Sequence, residues 1–179
     1  MKKLILFTII FAIGCEDSNN HNENHNSNLL FVSSEGTYGN GDGSISVFSD
    51  NEKIQTVEEV GDVVQSIIVN NDHLFVVINN SHKIKRYTIT ESGLNLPGID
   101  IETSNSSPRE MVIVDDKLYF TNWNSRDVKV LDLVTYSIVS AITLDGVPED
   151  IVSDGDFLWV SIPMLELYDG NNGSSVLKI

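Results

Sequence analysis

The sequence predicts an all-β fold, a β-propeller built of four-stranded antiparallel blades with about 3.5 blades present. One apolar segment recurs four times, as NLLFVSS (28–34), DHLFVVIN (72–79), DKLYFTN (116–122) and DFLWVSI (156–162). Its leucines lie 44, 44 and 40 residues apart, within the range of about 40–50 residues that is typical of propeller repeats. Turn-forming Asn, Asp, Gly and Ser separate the apolar runs, and no long amphipathic helical period follows residue 28.

Each complete repeat divides into four strands. The first repeat supplies three, at 28–34, 44–49 and 52–60, and lacks an innermost strand. The second and third repeats supply four each, at 63–69, 73–79, 83–89 and 94–101 and at 109–114, 117–122, 128–133 and 137–144. The fourth repeat reaches SSVLKI (174–179), which we interpret as its third strand, so that it lacks an outermost one.

The polarity of these strands predicts where each lies in its blade. The first strand of each repeat is nearly all apolar, so we expect it to be innermost and buried on both faces. The third strand alternates and the fourth is the most polar, as expected for strands farther from the axis. Pro97 in the fourth strand suits a sheet edge, where no ladder donor is needed.

The first residues have the pattern of an export signal. Lys2 and Lys3 precede the apolar run LILFTIIFAI (4–13), which is too short for a stable membrane span. Residues 12–15, Ala-Ile-Gly-Cys, resemble the lipobox of bacterial lipoproteins, which implies cleavage after residue 14 and lipid on Cys15. The alternative is an ordinary secretory leader with an unrelated cysteine. Residues 15–28 continue as an Asn-rich tether that is expected to be disordered, and the propeller occupies 29–179.

Composition excludes several classes of function. Asp and Glu outnumber Lys and Arg by 26 to 11, so the formal charge of −15 repels phosphate backbones and argues against nucleic-acid binding. Cys15 is the single cysteine, so no disulfide within the chain supports the fold. No nucleophile elbow, zinc-protease motif or Cys–His pair occurs, so we expect no catalytic residues, no metal site and no cofactor.

Residues 106–161 resemble the YVTN, or YncE-like, propeller repeat, with its apolar strand, Asp-rich turn and aromatic strand ending in Asn. The segments SSEGTYGNGDGSISVF (33–48), GDVVQSIIV (61–69) and VVINNSHKI (76–84) resemble one branch of surface lipoproteins of Gram-negative bacteria. This resemblance implies lipid anchoring at the outer membrane, on the cell surface. It also implies a TonB-dependent outer-membrane transporter as a partner and, for some members, capture of vitamin B12-type corrinoids.

The same resemblance implies a ring of about seven blades. Because the first and last repeats each lack a strand, we expect the chain to be the N-terminal part of a longer protein. The alternative is that two such arcs associate into one ring.

Two sets of loops converge on one face of a propeller, and they predict the binding site. One set leads into the first strands, and the other links second strands to third strands. Their aromatic, amide, imidazole and guanidinium groups suit a large ligand with a polar rim, such as a corrinoid or a glycan. The candidates are Tyr38, Asn79, Asn80, His82, Arg109, Trp123, Asn124 and Arg126, with Tyr168 in the same loop set.

Alternatives stay open for these side chains and for the function. The Asn residues can simply shape turns, and His82 is either a cobalt ligand or a surface histidine. We expect a non-enzymatic surface lipoprotein that binds a ligand or partner, with corrinoid capture beside a transporter as its sharpest form. The first alternative is a structural or adhesive propeller that binds a protein or a glycan. The second is an enzyme on the same scaffold, for which the sequence offers no residues.

Overall fold

The computed structural model describes residues 28–168 and 175–179, so the predicted signal, Cys15 and nearly all of the tether lie outside the described residues. Every regular element of the described residues is a β-strand, and none of these residues forms a helix that could cross a membrane. The strands are β1 (Leu29–Ser34), β2 (Ser44–Ser49), β3 (Glu52–Val57), β4 (Val64–Asn70), β5 (His73–Ile78), β6 (Lys83–Thr90), β7 (Gly93–Glu102), β8 (Pro108–Val114), β9 (Lys117–Asn122), β10 (Asp127–Asp132), β11 (Ser137–Thr143), β12 (Ile151–Ser153), β13 (Leu158–Ile162) and β14 (Ser175–Lys178).

The strands form four antiparallel sheets in chain order, namely β1-β2-β3, β4-β5-β6-β7, β8-β9-β10-β11 and β12-β13-β14. Strand β4 contacts β1 and β8 of its neighbouring sheets, and β8 also contacts β12, so the first strands lie together on the inner side. The predicted all-β fold of four-stranded blades is confirmed. Within the described residues, the first sheet starts at its second strand and the fourth sheet ends at its third.

One turn is repeated in three sheets and shows why the strands begin and end where they do. Asn71, Asp115 and Gly155 occupy equivalent positions between the first and second strands, with φ of 52°, 52° and 101°. A positive φ is strained for most residues, but Gly adopts it freely and Asn and Asp tolerate it. The turn-forming residues of the sequence therefore stand where the backbone requires them.

Strict alternation in the second strands builds the core between the sheets. Leu74 and Ile78 of β5 pack into the cluster shared with the first sheet, whereas Phe75 of the same strand packs against the third sheet. Because successive side chains of a strand point to opposite faces, one buried strand can supply two cores. In β9, Phe120 likewise packs toward the second sheet and Tyr119 toward the fourth.

The prediction that the first strands are buried on both faces is wrong. In β4 only two of seven residues are fully buried, and Val69 is 50% exposed, whereas five of the six residues of β5 are buried. The reason is topological. Strand β5 has a hydrogen-bonded neighbour on each side and a packed sheet on each face, whereas β4 has a neighbour on one side only. In the two four-stranded sheets the outer strands β7 and β11 are the most exposed, consistent with their polar sequences, and Pro97 lies in β7 at the sheet edge.

Candidate functional site

The predicted loop sets enclose a cavity of about 400 Å³ at one end of the sheets. Seven of the eight predicted binding residues line it, and Arg126 does not. Tyr168 lines it as well, so the cavity receives side chains from the loops of all four sheets. The lining residues are Glu35, Tyr38, Val63, Asn79, Asn80, His82, Ser107, Arg109, Trp123, Asn124 and Tyr168.

The repeat explains why these residues meet. Most of them occupy a few equivalent positions, separated by the same 44 residues that separate the leucines of the repeat. Each blade therefore places the same loop positions at the cavity, and different residue types at these equivalent positions form its lining. The equivalent sets are Glu35, Asn79 and Trp123; Asn80 and Asn124; Tyr38 and His82; Val63 and Ser107.

A row of hydrogen bonds connects β4, β8 and the segment that leads into β12, in three successive sheets. Arg109 donates from Nη1 to Gln65 Oε1 at 2.5 Å, and from Nε and Nη2 to Glu149 Oε1 at 3.1 and 2.5 Å. The three residues are 44 and 40 residues apart, the spacing of the repeat itself. Arg109 is largely buried, at 16% exposed, whereas Glu149 keeps about a third of its side chain, 35%, in contact with solvent.

Trp123 is held by this row and is not a freely exposed loop residue. Its indole Nε1–H donates to Glu149 Oε2 at 2.8 Å, and the guanidinium carbon of Arg109 lies 4.0 Å from its ring centroid. Tyr168 meets the ring edge-on, with the two ring centroids 6.3 Å apart. Trp123 is half-buried as a result, and its orientation is fixed before any ligand arrives.

The three asparagines of the site use their amide N–H groups to hold the loops. Asn79 Nδ2 donates to the carbonyl of Pro108 at 2.9 Å, which ties the second sheet to the third. Asn80 Nδ2 donates to Asp62 Oδ2 at 2.5 Å, and Asn124 Nδ2 donates to the carbonyl of Asn105 at 3.1 Å. A shaping role is therefore present in the structure. Their side-chain carbonyl oxygens make no hydrogen bond within the described residues.

His82 is oriented by the neighbouring sheet. The backbone N–H of Ser107 donates to His82 Nδ1 at 3.1 Å, and the Ser107 hydroxyl lies 3.3 Å from the same nitrogen. A neutral imidazole that accepts at Nδ1 carries its proton on Nε2. Nε2 is then a donor. A metal ligand needs the reverse arrangement, in which the other ring nitrogen donates, so this geometry opposes the cobalt-ligand hypothesis.

Arg126 is the predicted site residue that the structure places elsewhere. Although it occupies the repeat position of Tyr38 and His82, both of its Nη atoms donate to Glu166. These hydrogen bonds raise the pKa of the Arg126 guanidinium. The ion pair directs the side chain toward the loop after the fourth sheet's second strand, away from the cavity.

Two side chains that hold the site together, Gln65 and Glu149, were not among the predicted binding residues. Gln65 lies in β4 and Glu149 in the segment that leads into β12, and neither stands in a recognisable motif. Their shared repeat position with Arg109 is the signal that could have identified them. The described residues contain no group of three His, Cys, Asp or Glu side chains arranged to hold a metal ion.

No family model matches the chain, and no curated protein matches it. Its structure is similar to the β-propeller domain of Cps50 (Swd1) from Myceliophthora thermophila, at 11% identity and a TM-score of 0.61, over 79% of this chain and 45% of that one. It is also similar to the WD40 propeller of Doa1, at 16% identity and a TM-score of 0.56, over 72% and 46% of the two chains. Hydrazine synthase from Kuenenia stuttgartiensis matches at 17% identity and a TM-score of 0.63, over 76% and 39%.

These similarities show a β-propeller fold and, at such low identity, nothing finer. The chain spans less than half of the length of each of these solved structures. A propeller is a scaffold that suits binding, because loops of successive blades converge on one face. The resemblance to the YncE-like lipoprotein branch stays a prediction.

Proposed function

We propose that this chain is a non-enzymatic binding protein of the cell surface that takes a polar ligand in the cavity between its loops. The observation that carries the proposal is the preorganised row Gln65–Arg109–Glu149, which holds Trp123 at the cavity wall. Side chains already fixed by contacts between sheets lose little freedom when a ligand binds. Exposed Tyr38 and Tyr168 add aromatic surface at the rim.

The chemistry of the lining favours a ligand rich in hydroxyl or amide groups. Asn79, Asn80 and Asn124 offer side-chain oxygens as acceptors, and His82 Nε2 offers a donor. Aromatic rings beside amide groups suit the apolar faces and hydroxyl edges of a glycan. A glycan is therefore the first ligand class that we propose.

A corrinoid is the second candidate, because its peripheral amides can pair with the same asparagine oxygens and because the family resemblance implies it. Binding would then occur through the rim of the corrinoid, since His82 is not arranged as a cobalt ligand. In this form of the proposal the protein passes its ligand to a TonB-dependent transporter. The lipid on Cys15 would hold it at the outer membrane beside that partner.

Titration calorimetry of the full chain with neutral oligosaccharides, cyanocobalamin and cobinamide tests ligand capture. The chain has two tryptophans, so the Trp159→Phe variant leaves Trp123 as the single fluorescence reporter of the cavity. We expect saturable heat and a change in Trp123 emission with one ligand class. Tyr38→Ala, which removes a 77% exposed ring of the lining, is expected to weaken binding about fivefold.

The matched control is Val134→Ala, which truncates a side chain that is 73% exposed but lies outside the cavity lining. This variant is expected to bind as the parent does. A binding role for this cavity would be contradicted if both variants weakened binding equally. It would also be contradicted if no probe produced either binding heat or a change in fluorescence.

Anchoring is tested separately in cells. Cys15 is the proposed lipid carrier, so the wild-type protein is expected to label with palmitate and to partition into a detergent phase, and Cys15→Ser to do neither. Co-purification of a TonB-dependent transporter after cross-linking would support the proposed partner. Recovery of matrix proteins or host glycans without a transporter would favour the adhesive alternative.

A further inference from the structure

The charge of the cavity depends on one ion pair. Arg109 is the one Lys or Arg side chain in the described lining, and Glu35 is the one carboxylate. Glu149 lies behind Arg109, and Asp62 lies beside Asn80, to which it is hydrogen-bonded at 2.5 Å. An anionic ligand would therefore meet a single cation that is already paired, with other carboxylates close by.

Glu149 uses both of its oxygens to hold the site together. Oε1 accepts from both Nε and Nη2 of Arg109, so two guanidinium donors converge on one carboxylate oxygen. Oε2 accepts from the indole of Trp123 and, at 3.3 Å, from Arg109 Nε. Of the five N–H donors of a guanidinium, Nε–H and one on each terminal nitrogen are thus committed to Glu149 and Gln65. The Nε/Nη2 edge of Arg109 is thus already occupied by a carboxylate of the protein, which also neutralises the charge that a ligand's carboxylate would need.

We propose that Glu149 determines the ligand class of the cavity, so that it selects uncharged hydroxyl or amide groups and rejects carboxylates and phosphates. This inference rests on the proposed function, because it concerns the ligand of the same cavity. Arg109 contributes its two remaining N–H donors to a neutral acceptor, while its charge stays with Glu149. Glu149 acts through Arg109 and Trp123 and is a specificity-determining residue without being part of the described lining.

The test uses pairs of small probes that differ in charge and little else, namely acetamide against acetate and glucose against glucuronate. NMR of the Trp123 indole N–H in the full-length Trp159→Phe chain reports binding, and Glu149→Gln is the test substitution. A Gln side chain leaves the guanidinium without its counter-charge, so we expect the affinity for acetate and glucuronate to rise about tenfold, with little change for acetamide and glucose.

Two further variants make the result specific. Glu91→Gln produces the same change in net charge at an exposed position in the turn between β6 and β7, outside the cavity lining, and it is expected to leave all four probes unaffected. Combining Glu149→Gln with Arg109→Gln is expected to abolish the acquired anion binding. Should Glu149→Gln fail to fold, Glu149→Asp replaces it, because Asp keeps the charge but has a shorter side chain. The affinity of this variant for acetate and glucuronate is expected to lie between those of the parent and of a variant without the counter-charge.

The outcomes separate this inference from the proposed function. Anion binding that appears in Glu149→Gln while no neutral probe binds either protein supports the role of Glu149 and counts against the proposed ligand class. Neutral probes that bind both proteins, with no gain for anions in Glu149→Gln, overturn the role of Glu149 and leave the binding function standing. An equal gain in Glu91→Gln also overturns it, because the effect would then be one of net charge.

Discussion

Tyr87 should make the fold sensitive to alkaline pH. The ring is 1% exposed in the core between the first and second sheets, and this burial, together with the nearby charge of Asp100, raises the pKa of Tyr87 to about 12 from 10.0. A raised pKa means that the folded protein holds the phenolic proton more tightly than the unfolded chain does. The stabilising effect is complete below pH 10 and is lost as the pH rises through the folded-state pKa.

Two pKa units correspond to about 3 kcal/mol, of which about 1.4 kcal/mol is lost by pH 11. The assay is urea unfolding of the wild-type chain and of Tyr87→Phe at a series of pH values from 8 to about 11.5. We expect the free energy of unfolding of the wild type to fall by about 1–2 kcal/mol more than that of the variant over this range. Lys83, whose pKa is raised by its hydrogen bond to Asp100, titrates in both proteins and cancels. Identical slopes for the two proteins would refute the argument.

Two further predictions concern packing and backbone. Phe120→Ala removes a fully buried ring between the second and third sheets and should lower the free energy of unfolding by about 3–5 kcal/mol in urea titrations. The control Val139→Ala, at a site 56% exposed, should change it by less than about 1 kcal/mol. Comparable losses in the two variants would mean that the sheets do not pack as described. Gly98→Ala should lower the melting temperature more than Gly155→Ala does. Both glycines have a positive φ, but a Cβ at Gly98 would lie 2.8 Å from the Tyr87 ring, whereas one at Gly155 would meet nothing within 4 Å. A smaller loss at Gly98 would argue against that contact.

Much of the candidate site could be predicted because a repeat converts sequence positions into spatial ones. Tyr38 and His82 share one repeat position, and this alone brings them to the same end of the sheets. Arg126 shares that position too, but its long, flexible side chain reaches Glu166 and forms an ion pair with it. Such a choice depends on a neighbour 40 residues away, which periodicity does not encode.

The burial of the strands shows a second limit. Apolar composition suggested that the innermost strand is the most buried, but Val69 of β4 is half exposed while Phe75 of β5 is almost completely buried. Apolar composition shows that a strand can be buried, but not how completely it is buried. The number of neighbours that it acquires is set by sheet order, which places β5 inside and β4 at the edge.

The sequence by itself determined the all-β class, the strand positions and the loops that face one cavity, because strand periodicity and a repeat of about 40–50 residues are local properties of the chain. Only the tertiary structure decided which charges pair, which tautomer His82 carries and how Trp123 is held. Each of these depends on hydrogen bonds between sheets, such as that from Trp123 to Glu149. Such hydrogen bonds form between groups that the fold brings to the right distance and direction, and the local sequence around each group does not specify which distant residue that will be.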